Sequence, residues 1–346
     1  MLIVSQHYDH VIGVDTHART HTLVVVNAAG AKLATATFPT SLAGLGRAHT
    51  WMTRQAPGRM LVAMEGTGSY GARFTDLLSA QQVTVAEVKP PKRGVRRAGK
   101  SDQIDAEHAA RHALSLPLER VMVPRKHEGD QVALRVLLTA RRAKTKEKTA
   151  TINSLIALLR GFFLDIDART GLTGAQINQV AAWRPRHSDT TAMTTIRDQA
   201  IQMARAIQTK DHELANNLTG LARHVTALAP WLLAEKGVGP FSAAQLLASW
   251  SIKDRIRSEA AFARLAGAAP IPASSGNTNR HRLHRGGDRQ LNNALWVIAN
   301  SRLMCDPATQ AYAEKRIAEG KNRKEVLRIL KRYIARSMFR KLQNTA

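Results

Sequence analysis

The apolar run Val11–Val14 stops at Asp15, and the apolar run Met60–Met64 stops at Glu65. Two short strand-like runs, each closed by an acid, constrain the first third of this chain more than any other feature. An acid does not stay buried without a partner, so each marks a point where a strand emerges from a core. Between them, Thr22–Val26 is rich in β-branched residues, Asn27-Ala28-Ala29-Gly30 is a turn signal, and Lys32–Phe38 returns as a third strand. This predicts a three-stranded meander. Ser41 is placed to cap a helix through about Thr53, Gly68–Ala80 reads as a second helix, and Val83–Val88 as a fifth strand. An antiparallel meander followed by alternating helices and strands predicts a mixed sheet flanked by helices.

The charge balance says what such a fold faces. The 346 residues carry 51 Lys+Arg against 26 Asp+Glu, a formal net charge of +25. That much charge is costly for a compact fold unless a polyanion shares it, and nucleic acid is the simplest polyanion. Met1–His10 lacks the basic start and apolar core of a signal peptide, and no apolar run approaches the roughly 18 residues that span a bilayer. A single cysteine, Cys305, excludes an internal disulfide framework and a structural cysteine–zinc site. With 44% apolar residues the chain can bury a sizeable core, which excludes wholesale disorder. The expectation is a cytoplasmic, nucleoid-associated protein in a reducing compartment.

Beyond the sheet, Pro90-Pro91 breaks the pattern, and Lys92, Arg93, Arg96, Arg97 and Lys100 place five basic residues in nine positions with no acid among them. Asp102–Leu114 reads as a helix, and Pro117 and Pro124 mark a boundary. From about Glu128 to Phe163, Val132, Val136, Ile152, Leu155, Ile156 and Leu159 recur at helical spacing, and a second helical stretch runs from about Thr191 to Leu228 before Pro230. Joined near Arg184-Pro185, the two predict a helical hairpin or coiled coil that spaces or oligomerises the protein. The rest is helical with Gly/Pro punctuation and ends in a strongly basic stretch. The expected division is 1–123 for the sheet domain, 124–230 for the long helices and 231–346 for a small all-α domain.

Four carboxylates carry the chemistry. Asp15 and Glu65 end strands, and Asp102 and Asp105, at i, i+3, share one helix face. Taken singly, each fits a turn, edge or solvated-helix acid. Together they repel, and a divalent cation reverses the sign of that interaction. Four carboxylates have enough oxygens to hold two Mg²⁺ ions, the arrangement that clamps attacking and leaving oxygens in phosphoryl transfer. The basic run from Lys92 to Lys100 lies just before the helical pair, where it would guide a phosphate backbone.

The last third offers two further segments. Gly237-Val238-Gly239 resembles a helix-hairpin-helix turn, whose backbone N–H groups can meet a DNA phosphate, but G-x-G alone fits an ordinary helix–helix turn better. Ser274-Ser275-Gly276 follows Pro270 and Pro272 and precedes Arg280, Arg282, Arg285 and Arg289, with His281 and His284 among them. A serine there could be a nucleophile, with the arginines holding a phosphate and its developing charge. The same composition also fits a Ser-Gly loop with phosphate-clamping arginines and no covalent chemistry.

In order along the chain, Val11-Ile-Gly-Val-Asp15, Met64-Glu65-Gly-Thr-Gly-Ser-Tyr70, Lys100-Ser-Asp102-Gln-Ile-Asp105, Gly237-Val-Gly-Pro240, Leu265-Ala-Gly-Ala-Ala-Pro270, Ser274-Ser-Gly276 and Arg285-Gly-Gly-Asp-Arg289 resemble the DEDD transposases of the IS110 insertion-sequence family. The resemblance covers nearly the whole chain, although the long helices match only in type. It implies an α/β, RNase H-like (RuvC-like) N-terminal domain, a coiled-coil segment and a helical C-terminal transposase domain. It also implies Asp15, Glu65, Asp102 and Asp105 as the metal-binding tetrad and a serine nucleophile that falls on Ser275, with Ser274 its immediate neighbour. It further implies a homo-oligomer in which tetrad and serine come from different protomers, double-stranded DNA substrates including a circular intermediate, and a structured non-coding RNA that pairs donor with target. Base pairing would then read sequence while the protein reads backbone and shape, a division that suits 5% aromatics and a large positive charge.

Three other readings compete. A RuvC-like junction resolvase or nuclease would hydrolyse DNA with no covalent intermediate. An architectural nucleic-acid-binding protein would keep the fold without catalysis. An actin-like sugar kinase shares Gly13-Val14-Asp15 near an N-terminal strand, but the basic charge and the lack of a later phosphate loop argue against it.

Overall fold

A computed structural model describes residues 2–88, 101–125, 128–162, 164–184, 186–253, 255–273, 281–282, 284 and 286–345. Lys92, Arg93, Arg96, Arg97, Lys100, Ser274, Ser275, Arg280 and Arg285 lie outside the described residues. The chain divides into two units, Met1–Gly129 and Asp130–Ala346.

In the first unit, strands β1 (His10–Thr16), β2 (Thr20–Asn27), β3 (Lys32–Pro39), β4 (Met60–Met64) and β5 (Thr84–Glu87) form one sheet in the order β3-β2-β1-β4-β5. β1–β2 and β2–β3 are antiparallel, whereas β1–β4 and β4–β5 are parallel. Helix α1 (Val4–His7) precedes the sheet; α2 (Leu42–Gln55) and α3 (Ala72–Ala80) supply the two crossovers, and α4 (Asp102–Leu114) follows β5. Strands β1, β2 and β4 are buried on both faces because their residues alternate between two cores, whereas β3 at the sheet edge has no buried residue. Val11, Val24, Val26, Leu61 and Ala63 pack with Ala106, Ala109, Ala110 and Ala113 of α4. Ile12, Val14, Leu23, Val25, Val62 and Met64 face the other way, onto Leu45, Ala48 and Met52 of α2 and Phe74 and Leu78 of α3. This mixed sheet between helical layers is consistent with an RNase H-like fold. Ser41 caps α2, its Oγ accepting from the Gly44 N–H at 3.2 Å.

One boundary differs from the sequence expectation. Helix α3 begins at Ala72, not Gly68. Residues 66–71 form a turn in which the Gly66 carbonyl accepts from the N–H groups of Ser69 and Gly71 at 2.8 and 3.1 Å. Gly66 sits at φ +61, where a side chain would be strained.

The second unit begins with the long helices α5 (Asp130–Gly161) and α7 (Thr191–Leu228), which pack against one another and run antiparallel. Buried leucines occur towards either end of α5, Leu134 and Leu138 at one, Leu155 and Leu159 at the other. The turns between carry ion pairs to α7, Lys144 to Glu213 and Glu147 to Lys210, both at 3.1 Å, and Lys148 to Asp211. Val136, which the spacing places in the apolar stripe, is exposed, and Leu134 and Leu138 take the buried face. Nor are the two helices joined by a plain turn near Arg184. Their connection contains α6 (Gly174–Ala181) and a core of its own, in which Leu164, Ile177 and Val180 pack with Leu155, Leu159, Ala200, Ala204 and Ile207. The side chains of Asp189 and Arg197 pair within this cap at 2.8 Å, both largely buried.

Helices α8 (Trp231–Ala234), α9 (Pro240–Trp250), α10 (Glu259–Leu265), α11 (Arg289–Cys305), α12 (Pro307–Ala318) and α13 (Arg323–Thr345) complete the unit, with a two-stranded ribbon of β6 (Ile271–Pro272) and β7 (His281–Arg282). Ser242 to Trp250 of α9 are all buried, as expected for a helix apolar nearly all round. Leu134, Leu138, Leu221 and Val225 of the long helices share one core with α9, α10, α11 and α13. Gly237 turns the chain between α8 and α9 at φ +72, where a Cβ would lie 3.0 Å from the Ile298 carbonyl oxygen of α11. No helix among the described residues is long and apolar enough to cross a membrane.

Candidate metal centre and serine region

Parallel pairing of β1 with β4 puts Val14 opposite Met64, so Asp15, still paired with Thr22 of β2, comes beside Glu65 where β4 ends. The Thr16 hydroxyl holds the two ends together by donating to the Glu65 carbonyl at 3.1 Å. Glu65 itself is half-buried.

Helix α4 reaches the same edge because β1 has no side chain at Gly13. A Cβ there would lie 1.8 Å from the Ala106 carbonyl oxygen and 2.8 Å from the Ala110 nitrogen. Glycine on the strand and alanines on the helix let the two backbones approach closely. The first turn of α4 then arrives beside Asp15. Ser101 caps it, its Oγ accepting from the Ile104 N–H at 3.3 Å, with Asp102 and Asp105 in the first turn, where the helix dipole favours negative charge.

A residue absent from the sequence expectation completes the arrangement. His17 Nε2 lies 2.9 Å from Asp15 Oδ2 and 3.4 Å from Asp102 Oδ1. Donor atoms of Asp15, His17 and Asp102 all lie within 4.8 Å of one another, a set that could hold a metal ion. Asp15 is the most enclosed of the three, its side chain 17% exposed against 52% for His17 and 57% for Asp102. Burial pushes the Asp15 carboxyl above its ordinary value, and the negative charges of Asp102 and Asp105 add to that shift while His17 opposes it. The fold therefore brings Asp15, Asp102 and Asp105 into electrostatic contact and Glu65 to the neighbouring strand end. The signal for His17 was its type and spacing: Asp15 and His17 stand two apart, so along a strand they point to one side. His21 is a different case. It is buried against Phe74, with its Nδ1 3.0 Å from the Thr20 carbonyl oxygen, and burial lowers its pKa.

The carboxylates lie in the segment that matches a family model of DEDD transposases of the IS110 type, residues 12–164. A second model, described as the transposase IS116/IS110/IS902 family, matches residues 230–314. The chain belongs to the IS110 family of transposases. A similar protein in Streptomyces coelicolor, "Insertion element IS110 uncharacterized 43.6 kDa protein", is 35% identical over 119 residues. That stretch is 34% of this chain and spans 29% of the relative's length.

In this IS110-family chain Ser274 and Ser275 fall between β6 and β7 in sequence, and those two strands pair as a ribbon. The ribbon borders a cavity of about 650 Å³ whose lining includes His281, Arg282, His284, Arg328, Lys331 and Arg332. Lys331 is buried there, its Nζ donating to Asn292 Oδ1 at 3.1 Å, and burial, with Arg328 beside it, lowers its pKa. Arg289, at the start of α11, and Arg282 are exposed. Asp288, in the same motif, is structural: its Oδ1 accepts from the N–H groups of Gln290 and Leu291, and its Oδ2 accepts from Ser249 Oγ at 2.6 Å.

Proposed function

We propose that this chain is an insertion-sequence transposase that cuts and exchanges DNA strands in a divalent-metal-dependent reaction, with a serine as nucleophile and a bridging non-coding RNA as guide. The observation that carries the reading is the convergence of Asp15, Asp102 and Asp105, with Glu65 at the adjacent strand end, in a chain of this family. So many acids at one edge repel one another unless a cation joins them. An ion held there supplies positive charge to the phosphodiester oxygens as they become more negative, and Mg²⁺ is the ion that oxygen ligands favour.

Asp15, Glu65, Asp102 and Asp105 would hold and orient that ion. Ser275 Oγ bonds to phosphorus as the bond to the departing strand oxygen breaks, and the serine proton ends on the freed hydroxyl. A hydroxyl of the incoming strand reverses the step, so the number of phosphodiester bonds is conserved and no external energy source is needed. The arginines around the serine segment and the basic run from Lys92 to Lys100 hold the backbone phosphates.

The test is strand exchange on a plasmid carrying element ends and target, with the element's RNA supplied. Asp15→Ala and Ser275→Ala should each abolish exchange, and mixing the two variants should restore part of it if different protomers supply acid and serine. A protein–DNA adduct should be trapped with the wild type and be missing from Ser275→Ala. Full activity of Ser275→Ala would remove that serine as nucleophile and pass the role to Ser274. Cleavage without any adduct would favour the hydrolytic nuclease instead. Exchange that is indifferent to omission of the RNA would remove the guide.

A further inference from the structure

Among the described residues the centre has one donor that is not an oxygen. His17 Nε2 does not merely pack near the acids; it lies between two of them, 2.9 Å from Asp15 and 3.4 Å from Asp102. Ligands at adjacent corners of an octahedron, each about 2.1 Å from the ion, stand about 3 Å apart. The two spacings from His17 are close to that value, and the donor atoms of all three residues lie within 4.8 Å of one another. Each of the three comes from a separately anchored place. Asp15 belongs to β1, Asp102 to the capped first turn of α4, and His17 to the tight β1–β2 connection, where its N–H donates to the Thr20 carbonyl at 3.1 Å.

Building on the metal-dependent reading above, we propose that His17 is itself a ligand, through Nε2, of the ion shared by Asp15 and Asp102, making this a mixed nitrogen–oxygen site that prefers Mn²⁺ to Mg²⁺. The chemistry of the donor set carries the preference. Mg²⁺ seeks oxygen and gives up water reluctantly, whereas imidazole suits first-row transition ions. In the metal-free protein the same nitrogen is hydrogen-bonded to Asp15, which keeps the imidazole turned towards the acids.

The experiment titrates the full-length protein, without nucleic acid, with MnCl₂ and records the electron spin-echo modulation of the bound ion. Nitrogen modulation should be present, should change to the ¹⁵N pattern in protein grown on [¹⁵N]histidine, and should vanish in His17→Gln while Mn²⁺ still binds. Calorimetry should show Mn²⁺ affinity falling by about ten-fold or more in that variant, with Mg²⁺ affinity much less affected. His17→Asn gives the same readings should His17→Gln not fold. Bound Mn²⁺ with no nitrogen modulation, or modulation that survives loss of His17, overturns His17 as a ligand and leaves the carboxylate centre standing. No binding of Mn²⁺ or Mg²⁺ at millimolar concentration overturns both.

Discussion

The two chemically loaded regions of this IS110-family chain are built in opposite ways. The acidic centre hangs on regular structure: two parallel strand ends and one capped helix turn, seated by close backbone contact at Gly13. The basic region is bordered by a ribbon whose strands are two residues long and by a cavity with a desolvated lysine in its wall. An ion needs its ligands placed to within a fraction of an ångström, and a strand end supports such a site better than a loop. A long polyanion is gripped by charge spread over a surface, where each contact contributes little and tolerates displacement.

The sharpest way to break that contrast is Gly13→Val. The added side chain collides with the α4 backbone, so the acidic centre should come apart with all four carboxylates still present. Stability should fall by about 3 kcal/mol or more, beyond ordinary overpacking because the obstacle is backbone, and Mn²⁺ binding should be lost. Urea unfolding and calorimetry check this. A variant with unchanged midpoint and metal affinity would mean that α4 does not seat on β1.

Lys331→Met tests the other region with a smaller effect of opposite sign. Removing a buried cation should leave the fold as stable as the wild type or about 1 kcal/mol more so, while DNA affinity falls and the salt slope drops by about one. The pH dependence follows from the direction of the shift. Lys331 has a folded pKa below its unfolded value, so the unfolded chain binds the proton more readily. Stability should rise with pH from the lowered pKa up to the ordinary lysine value, and fall as pH drops through that window. The wild type minus Lys331→Met difference in melting midpoint isolates this rise. Wild-type DNA affinity in the variant would disconnect the cavity from nucleic-acid binding.

The mildest probe is Ser101→Ala. Loss of one helix cap should cost about 1 kcal/mol and weaken metal binding only several-fold, because packing still holds α4 on the sheet. Loss of metal binding as complete as in Gly13→Val would show that the cap, not the glycine contact, positions Asp102.

Much of the sheet unit was legible before folding. Short apolar or β-branched runs located all five strands, and Asp15 and Glu65 lie within one residue of where two of them end. Residues 102–114 read as a helix, and the structure places α4 at those residues, capped by Ser101. The long helices were legible as helices, but not the side they present. Val132, Val136, Leu134 and Leu138 all lie on plausible stripes, and only the approach of α7 decides that Leu134 and Leu138 are covered while Val136 stays exposed. Helix α6 was missed because its apolar residues are few and its partners, Leu155 and Ala204 among them, lie far along the chain.

Local periodicity, which depends on neighbours within a few residues, was settled by the amino-acid order: the five strands of the sheet, helix α4 and the two long helices. The association of Asp15, His17 and Asp102 was decided by tertiary structure alone. It depends on a helix more than eighty residues downstream of Asp15 lying against a strand that lacks a side chain at one position, and sequence spacing carries no record of such an encounter.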